Sequence, residues 1–405
     1  MKILYFGTVC NSTEYKKMLA GCRTLPSAAP FSFETALIKG LSDHEADLEV
    51  FSFPAIPSFP KSKYLFIKSM KKPLDCGISS TWVSSPNIIG LKQLGQRVSS
   101  HRKLRKWLKD NSKEEKAVII YSIYQPVAKS IISLCKKTGT PCFAIVPDLP
   151  RDMFANEKIS SFKKLLSSIY VSWAENLQDK FDGYIYFTEH MKDVINPSAP
   201  YIVCEGIAED FVTFPEAKSD KRSVMYAGAL NKKMSIDLLL DAFSSISDED
   251  TELWLFGSGD FVPQVRKAVR ADSRIKYFGQ KPRSEILKFE QKAHLLINLR
   301  KDSEEYTKYS FPSKTIEYMV SGTPVLTTKL PGIPDEYYDY LFTADDFSAE
   351  NIGKKIAEIL ALPQDELKAF GSKARKFALE NKNSYLQSGK MLEFIKRSAE
   401  HEHET

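Results

Sequence analysis

The sequence predicts an α/β protein made of two successive parallel-sheet units, and three observations carry that prediction. Short β-branched or aromatic runs alternate with longer amphipathic ones along the whole chain, the pattern of parallel strands joined by helices. The 405 residues, at roughly 100–200 per domain, suffice for two or three domains. The net charge of +6 also divides unevenly: residues 1–200 hold 28 Lys and Arg against 18 Asp and Glu, which leaves 29 against 33 for residues 201–405. A half of +10 followed by a half of −4 points to two domains with different partners. The basic half suits an anionic surface: lipid headgroups, a phosphorylated acceptor or nucleic acid.

Composition narrows the class. With 43% apolar and 27% charged residues, the chain has ample material for packed cores and is not disordered, collagen-like or mucin-like. Six cysteines (Cys10, Cys22, Cys76, Cys135, Cys142 and Cys204) lie scattered without a C-x-x-C pair, and read as reduced thiols of a cytoplasmic protein. No window offers ~18 uninterrupted apolar residues, so no membrane-spanning helix is predicted. The opening MKILYFGTVC lacks a small-residue cleavage site, so a signal peptide is not expected.

In the first half, KILYFG (2–7), DLEVFSF (47–53), AVIIYSI (117–123), PCFAIVP (141–147) and GYIYFT (183–188) read as strands. FSFETALIKGL (31–41) and KSIISLCKKTG (129–139) read as helices, the second ended by its glycine. The stretch from Pro54 to Gly95 is proline-interrupted and reads as a lid or surface element outside the sheet. In the second half the strands are 223–229, 252–259, 276–279, 294–300 and 323–328; the helices are 235–246, 284–293, 312–321, 349–362 and 365–381. A hinge is expected near Pro200–Pro215.

The most informative stretch is YTKYSFPSKTIEYMVSGTPVLTTKLPGIP (306–334), read as a strand, a polar turn and a helix with Pro312 at its first position and Gly322 at its C-terminal cap. A helix N-terminus presents unpaired N–H groups and partial positive charge, a place for phosphate. Lys314 adds a cation in the first turn, and Arg300 leaves the preceding strand at its C-terminal end. Glu317, three residues after Lys314, projects from the same face. Cations at the helix start and a carboxylate one turn deeper suit a nucleotide diphosphate, with the acid accepting ribose hydroxyls. The plain alternative is a Lys–Glu pair on a solvated helix.

The run FPSKTIEYMVSGTPVLTT, following LLINLR and preceding GIPDEY, resembles the family-4 retaining glycosyltransferases (glycosyltransferase group 1), and in particular bacterial capsule and exopolysaccharide members with an SFPSK-type turn. VMYAGAL with LLLDAF, then LWLFGSGD, then YFGQKPRSEI fall in family order. The resemblance is good over 223–340 and weaker over 1–200. It implies the GT-B fold, two Rossmann-like domains with parallel sheets facing across a cleft. Residues 1–205 would bind the acceptor and 206–380 the nucleotide-sugar. Residues 381–405 would form a C-terminal helix returning to the N-terminal domain, with a frayed tail. The chain departs from the family at three points. Gly228 is followed by Ala229 where an Arg is common, and Met234 stands where a Lys is usual, with Lys232 and Lys233 nearby. Of the paired glutamates common in the family, only the second is present, Glu317, with Tyr309 at the first position.

The resemblance assigns diphosphate neutralisation to Arg300 and Lys314, and the donor sugar to the backbone of Ser310, Phe311, Pro312 and Ser313. Gln280 and Lys281 would frame the base, and Gly228, Gly257 and Gly259 would let backbone approach the nucleotide, although glycine after a strand is also simply turn chemistry. Gly7, after the first strand, would approach the donor. In AIVPDLPRDM (144–153), Asp148 ends a strand where relatives often carry a histidine, and is read as orienting the acceptor hydroxyl or as opening a Pro-bounded turn. His190, after GYIYFT, is the alternative acceptor residue or a loop histidine.

The implied activity is transfer of a hexose from a nucleotide-sugar, a UDP-sugar by family precedent, to a lipid-linked or oligosaccharide acceptor in surface polysaccharide synthesis. Retention of configuration and no metal cofactor are expected. A catalytically inactive partner subunit and a nucleotide-sugar epimerase are the competing readings. Finally, KSKYLFIKSMKK (61–72) and HRKLRKWLK (101–109) interleave cations with Tyr64, Phe66, Ile67 and Trp107. That pattern suits an anionic membrane surface on the inner face of the cell membrane; a solvated face and nucleic-acid binding are the alternatives, and no nucleic-acid partner is expected.

Overall fold

The computed structural model describes residues 1–123, 127–151, 168, 171–211 and 218–401. The chain forms two compact units: unit 1 comprises Met1–Ile207 and Ser384–Thr405, and unit 2 comprises Ala208–Asn383. Part of the expected hinge, residues 212–217, and residues 402–405 of the tail lie outside the described residues.

Unit 1 runs β1 (Lys2–Gly7), α1 (Ser12–Leu19), α2 (Ala29–Asp43), β2 (Asp47–Ser52), β3 (Phe66–Ile67), β4 (Lys71–Pro73), β5 (Ser79–Trp82), β6 (Ser85–Pro86), α3 (Leu91–Asp110), β7 (Lys116–Tyr121), α4 (Ala128–Thr138), β8 (Cys142–Val146), β9 (Gly183–Tyr186) and β10 (Tyr201–Val203). Its sheet has the order β10-β9-β8-β7-β1-β2-β5-β4, parallel except for the last strand. The central strands are apolar on both faces, as Ile3, Leu4, Phe6, Val118, Ile120 and Ile145 show by their burial, and that is what a sheet covered by helices on both sides requires. The C-terminal helix Ser384–His401 packs on α2, where Gly40 is essential: a Cβ there would stand 2.2 Å from the Ser384 carbonyl oxygen. His44 stacks on Tyr385 beside this contact, with ring centroids 3.9 Å apart.

The proline-interrupted stretch corrects the sequence reading. Rather than standing outside the sheet, it contributes β5, paired parallel to β2 with Phe51 opposite Thr81, and β4, paired antiparallel to β5. The buried Trp82 anchors this extension in a small core with Ile56, Ile67 and Tyr15.

Unit 2 has a six-stranded parallel sheet among the described residues: β11 (Arg222–Ala229), β12 (Thr251–Ser258), β13 (Ile275–Gly279), β14 (Leu295–Asn298), β15 (Val325–Thr327) and β16 (Phe342–Thr343), in the order β13-β12-β11-β14-β15-β16. Helices Ile236–Ser244 and Ala349–Leu360 pack on each other, Gly353 against the Ala242 carbonyl. The helix of the FPSK motif spans Lys314–Ser321, so Pro312 precedes it instead of taking its first position, and its carbonyl accepts the Thr315 N–H at 2.7 Å. Gly322 caps its end in the left-handed conformation, φ +77°, as the sequence predicts. All six cysteines are free. Among the described residues, no helix is long and apolar enough to cross a membrane.

Candidate active site

In a parallel sheet, ligands bind outside the C-terminal strand ends where the strand order reverses. In unit 2 that point lies between β11 and β14. These strands pair only at Val224 and Met225 and then diverge, and the hydroxyl of Tyr318 fills the gap. It accepts the Ala227 N–H at 3.0 Å and donates to the Ala227 carbonyl at 3.3 Å, fixing the helix Lys314–Ser321 against β11. The Asn298 amide donates to Thr315 Oγ1 at 3.2 Å and ties the same helix to β14.

Arg300 follows β14 and is held by its neighbour strand: its N–H donates to Thr328 Oγ1 at 2.9 Å, and that hydroxyl donates back to the Arg300 carbonyl at 2.6 Å. The buried phenol of Tyr226, on β11, senses both predicted cations. Its hydroxyl donates to the Ala229 carbonyl at 3.0 Å, and burial raises its pKa while the charges of Arg300 and then Lys314 pull it down. Nearby Tyr306 has the Lys233 ammonium 3.8 Å from its ring centroid, and among the described residues its buried hydroxyl has no hydrogen-bond partner. Lys232, by contrast, is exposed and stands 3.8 Å from Asp237.

One turn deeper, Lys314 Nζ donates to Glu317 Oε1 at 2.6 Å, and Arg283 Nε reaches Glu317 Oε2 at 3.4 Å. Both members of the Lys314–Glu317 pair are half-buried, and Arg283 adds a second cation to the helix pair of the plain reading. Burial would raise the Glu317 carboxyl, but Lys314 and Arg283 hold it below its ordinary value; burial would lower Lys314, but Glu317 and Glu290 hold it above. Each carboxylate oxygen has two acceptor sites, so Glu317 keeps capacity for hydroxyl donors. Glu290 is fully buried, and among the described residues neither of its oxygens has a geometric hydrogen-bond partner. Burial, and then the adjacent Glu317 charge, push its pKa well above the ordinary carboxylate value.

The remaining donor candidates divide by environment. Ser310 is half-buried and Ser313 is exposed at the turn before Lys314, whereas Phe311 is buried against Tyr337 at 5.5 Å between rings and Pro312 is buried as well. Gly257 has φ +127°, and a Cβ there would lie 1.8 Å from the Gly228 carbonyl; one on Gly259 would lie 2.1 Å from the Leu230 carbonyl. The backbone that these two glycines admit is therefore the chain's own, the end of β11 pressed on β12. Gln280 and Lys281 are exposed, and Lys281 pairs with Glu285 at 3.2 Å.

Unit 1 has its own order reversal between β1 and β7, and Gly7 stands there. A Cβ on Gly7 would strike the Glu34 carboxylate, which is fully buried and accepts the Thr8 N–H at 2.8 Å, the Val9 N–H at 3.4 Å and the Tyr5 hydroxyl at 3.0 Å. Burial lifts the Glu34 pKa to about 7 against these bonds. Tyr121, ending β7, pairs with Ile145 of β8, so Asp148, in an exposed bend after β8, lies at the same edge of the sheet; burial, Glu34 and then Asp148 raise the Tyr121 pKa. His190 is half-buried beyond β9, and its neighbour Glu189 is engaged by Lys192 at 2.5 Å and Tyr201 at 2.6 Å. Asp152 and Met153 of the Asp148 motif lie outside the described residues.

Arg283, Glu290, Tyr226, Tyr306 and Glu34 escape sequence reasoning. The one local signal among them is Arg283's place after Pro282 in the KPRSEI turn. Among the described residues, no three His, Cys, Asp or Glu side chains group as metal ligands would.

Residues 209–377 match the family model described as glycosyl transferases group 1. No curated protein sequence matches the chain. Solved structures match along its length at low identity. Sucrose-phosphate synthase from Thermosynechococcus elongatus is 12% identical with a TM-score of 0.67, covering 98% of this chain and 99% of that one. HepE from Anabaena, in complex with UDP and glucose, is 15% identical with a TM-score of 0.62, covering 98% and 100%. A UDP-forming trehalose-phosphate synthase from Burkholderia xenovorans, in complex with glucose-6-phosphate, is 10% identical with a TM-score of 0.65, covering 98% and 100%. The chain has the GT-B fold, and its residues 209–377 are the part that matches the glycosyl transferases group 1 family.

Proposed function

We propose that this protein moves a hexose from a UDP-sugar to a lipid-linked glycan acceptor, with retention of anomeric configuration and without a metal, in the assembly of a bacterial surface polysaccharide at the inner face of the membrane. The observation that carries the reading is geometric: at the strand-order reversal of unit 2, Arg300 leaves β14, and the helix opening at Lys314 is pinned to β11 through Tyr318 and to β14 through Asn298. Departure of the nucleoside diphosphate creates negative charge, and preorganised cations aimed at that charge are the largest contribution a protein makes to such a step. In this reading Arg300 and Lys314 take the diphosphate, Glu317 the ribose hydroxyls, and Asp148 positions the acceptor hydroxyl. The choice of UDP is supported by the Anabaena structure, solved with UDP.

Ala229 and Met234, in place of the cations common in the family, favour a second reading as an inactive partner subunit. A panel of nucleoside diphosphates and nucleotide-sugars tested by thermal shift separates the two, since a ligand of the folded state stabilises it in proportion to the logarithm of its concentration over Kd. A UDP-sugar should raise the melting temperature and be slowly hydrolysed, in the presence of EDTA as in its absence. No shift with any nucleotide and no hydrolysis would support the partner subunit instead.

A further inference from the structure

The exposed apolar side chains are not scattered. Among the described residues, eight of the eleven large hydrophobics that face solvent lie between Phe59 and Val98: Phe59, Leu65, Phe66, Ile88, Ile89, Leu91, Leu94 and Val98. Three segments carry them, and the backbone ties those segments together. β3, with Phe66, pairs with β6 at Pro86; the Phe59 N–H donates to the Asn87 carbonyl and the Asn87 N–H to the Leu65 carbonyl, both at 2.8 Å. Helix α3 lies directly on β6, where a Cβ on Gly95 would come within 2.4 Å of the Pro86 ring. Single exposed apolar residues need no explanation, but a joined group of this size marks an interaction surface.

Helix α3 gives that surface a direction. Its outward positions 91, 94, 98, 102, 105 and 109 follow helical spacing, and all are exposed or nearly so. The first three are Leu91, Leu94 and Val98; the last three are Arg102, Arg105 and Lys109. One stripe is thus apolar for about 10 Å and cationic for about 10 Å more, at ~1.5 Å per residue. From residue 51 to 109 the basic residues far outnumber the acids, of which Asp75 is the only one.

We infer that this edge of unit 1 is a membrane-docking wedge: Ile89, Leu91 and Leu94, with Leu65 and Phe66, enter the acyl boundary of an anionic bilayer, while Arg102, Arg105 and Lys109 rest on its headgroups. Interfacial elements combine an apolar face that enters the acyl boundary with basic residues that meet anionic headgroups, and this edge carries both. A second copy of this chain would set one cationic face against another, and nucleic acid would gain nothing from exposed aliphatic residues, since it is held by stacking on aromatic planes. The sequence expectation is corrected in detail: Ile67 and Trp107, predicted at the interface, are buried, and the Trp107 indole donates to Glu49 Oε1 at 3.3 Å.

The wedge gives a site to the membrane part of the proposed function, and it is tested without reference to the reaction. The full chain is mixed with vesicles of equal parts phosphatidylcholine and phosphatidylglycerol, and binding is read by flotation. Ile89→Gln, Leu91→Gln and Leu94→Gln together should weaken binding at least about tenfold. Arg102→Gln, Arg105→Gln and Lys109→Gln together should weaken it roughly hundredfold, at about fivefold per cation. Both variants should keep wild-type helicity and an unchanged nucleotide-induced thermal shift, so loss of binding would not be confused with loss of the donor site. Ile89→Trp should be quenched by lipids brominated in the acyl chain. Undiminished binding of the apolar variant, absence of quenching, or a dimer that this variant dissociates would each overturn the wedge.

Discussion

The two units treat their surfaces in opposite ways. Among the described residues, every exposed large hydrophobic belongs to unit 1, and unit 2 exposes none. In unit 2 two cations, Lys314 and Arg283, gather on one carboxylate, Glu317. In unit 1 cations line an outer face of α3. The charge split between the halves of the sequence therefore has two causes: one unit gathers charge around a site, the other spreads it over a surface. Lys314 and Arg283 both meet Glu317, whereas Arg102, Arg105 and Lys109 stand exposed along the outer stripe of α3.

The largest effect expected is on unit 2's framework. Gly257→Ala would force a Cβ to within 1.8 Å of the Gly228 carbonyl at a backbone angle that side chains rarely adopt. Both costs act together, and the variant should lose ~4 kcal/mol or more of stability, enough to melt unit 2 while leaving the unit 1 transition in place. Calorimetry that resolves the two transitions checks this; an unshifted unit 2 would show that the β11–β12 approach is not rigid.

Much of this framework is legible in the sequence because central parallel strands are continuous apolar runs, as KILYFG and SVMYAGA are, and because Gly139 and Gly322 end their helices where left-handed caps require glycine. Helix α3 is illegible for a physical reason. In its first half Leu91, Leu94 and Val98 face solvent while Gln96 and Ser100 are buried, so the apolar periodicity there points away from the core, and only Leu104, Trp107 and Leu108 of the second half mark the buried face. β4 and β5 are hidden by the prolines around them. At the site, Lys314 and Glu317 are readable from their spacing on one helix, but Arg283 comes from 34 residues away and Glu290 from another helix, and no local pattern encodes such encounters.

Unit 1 should reveal its buried carboxyl through pH. Glu34 titrates near 7 in the folded protein against an ordinary 4.5, so between these values the folded state holds the proton that the unfolded chain has lost. Stability of unit 1 should therefore fall as pH rises from 4.5 to about 7, by up to ~1.4 kcal/mol per pH step of one, and level off above. Glu34→Gln should remove that slope. If the slope persists in the variant, another group carries it.

A smaller effect is expected at Glu317. Ribose hydroxyls gain no charge during transfer, so Glu317→Gln should raise the donor KM several-fold, ~1 kcal/mol, with little change in kcat. A loss confined to kcat would instead mean that Glu317 acts by holding Lys314 in place.

The central claim is that unit 2 stabilises a departing diphosphate with two cations, and steady-state kinetics of Arg300→Ala and Lys314→Ala on a UDP-sugar test it most directly. Charge that grows as the sugar bond breaks is felt more in the transition state than in the bound donor. Each substitution should therefore cut kcat about a hundredfold, ~3 kcal/mol, and leave the donor KM nearly unchanged. Near-normal turnover in both variants would contradict the account and move the diphosphate to Lys233, whose ammonium already stands over Tyr306.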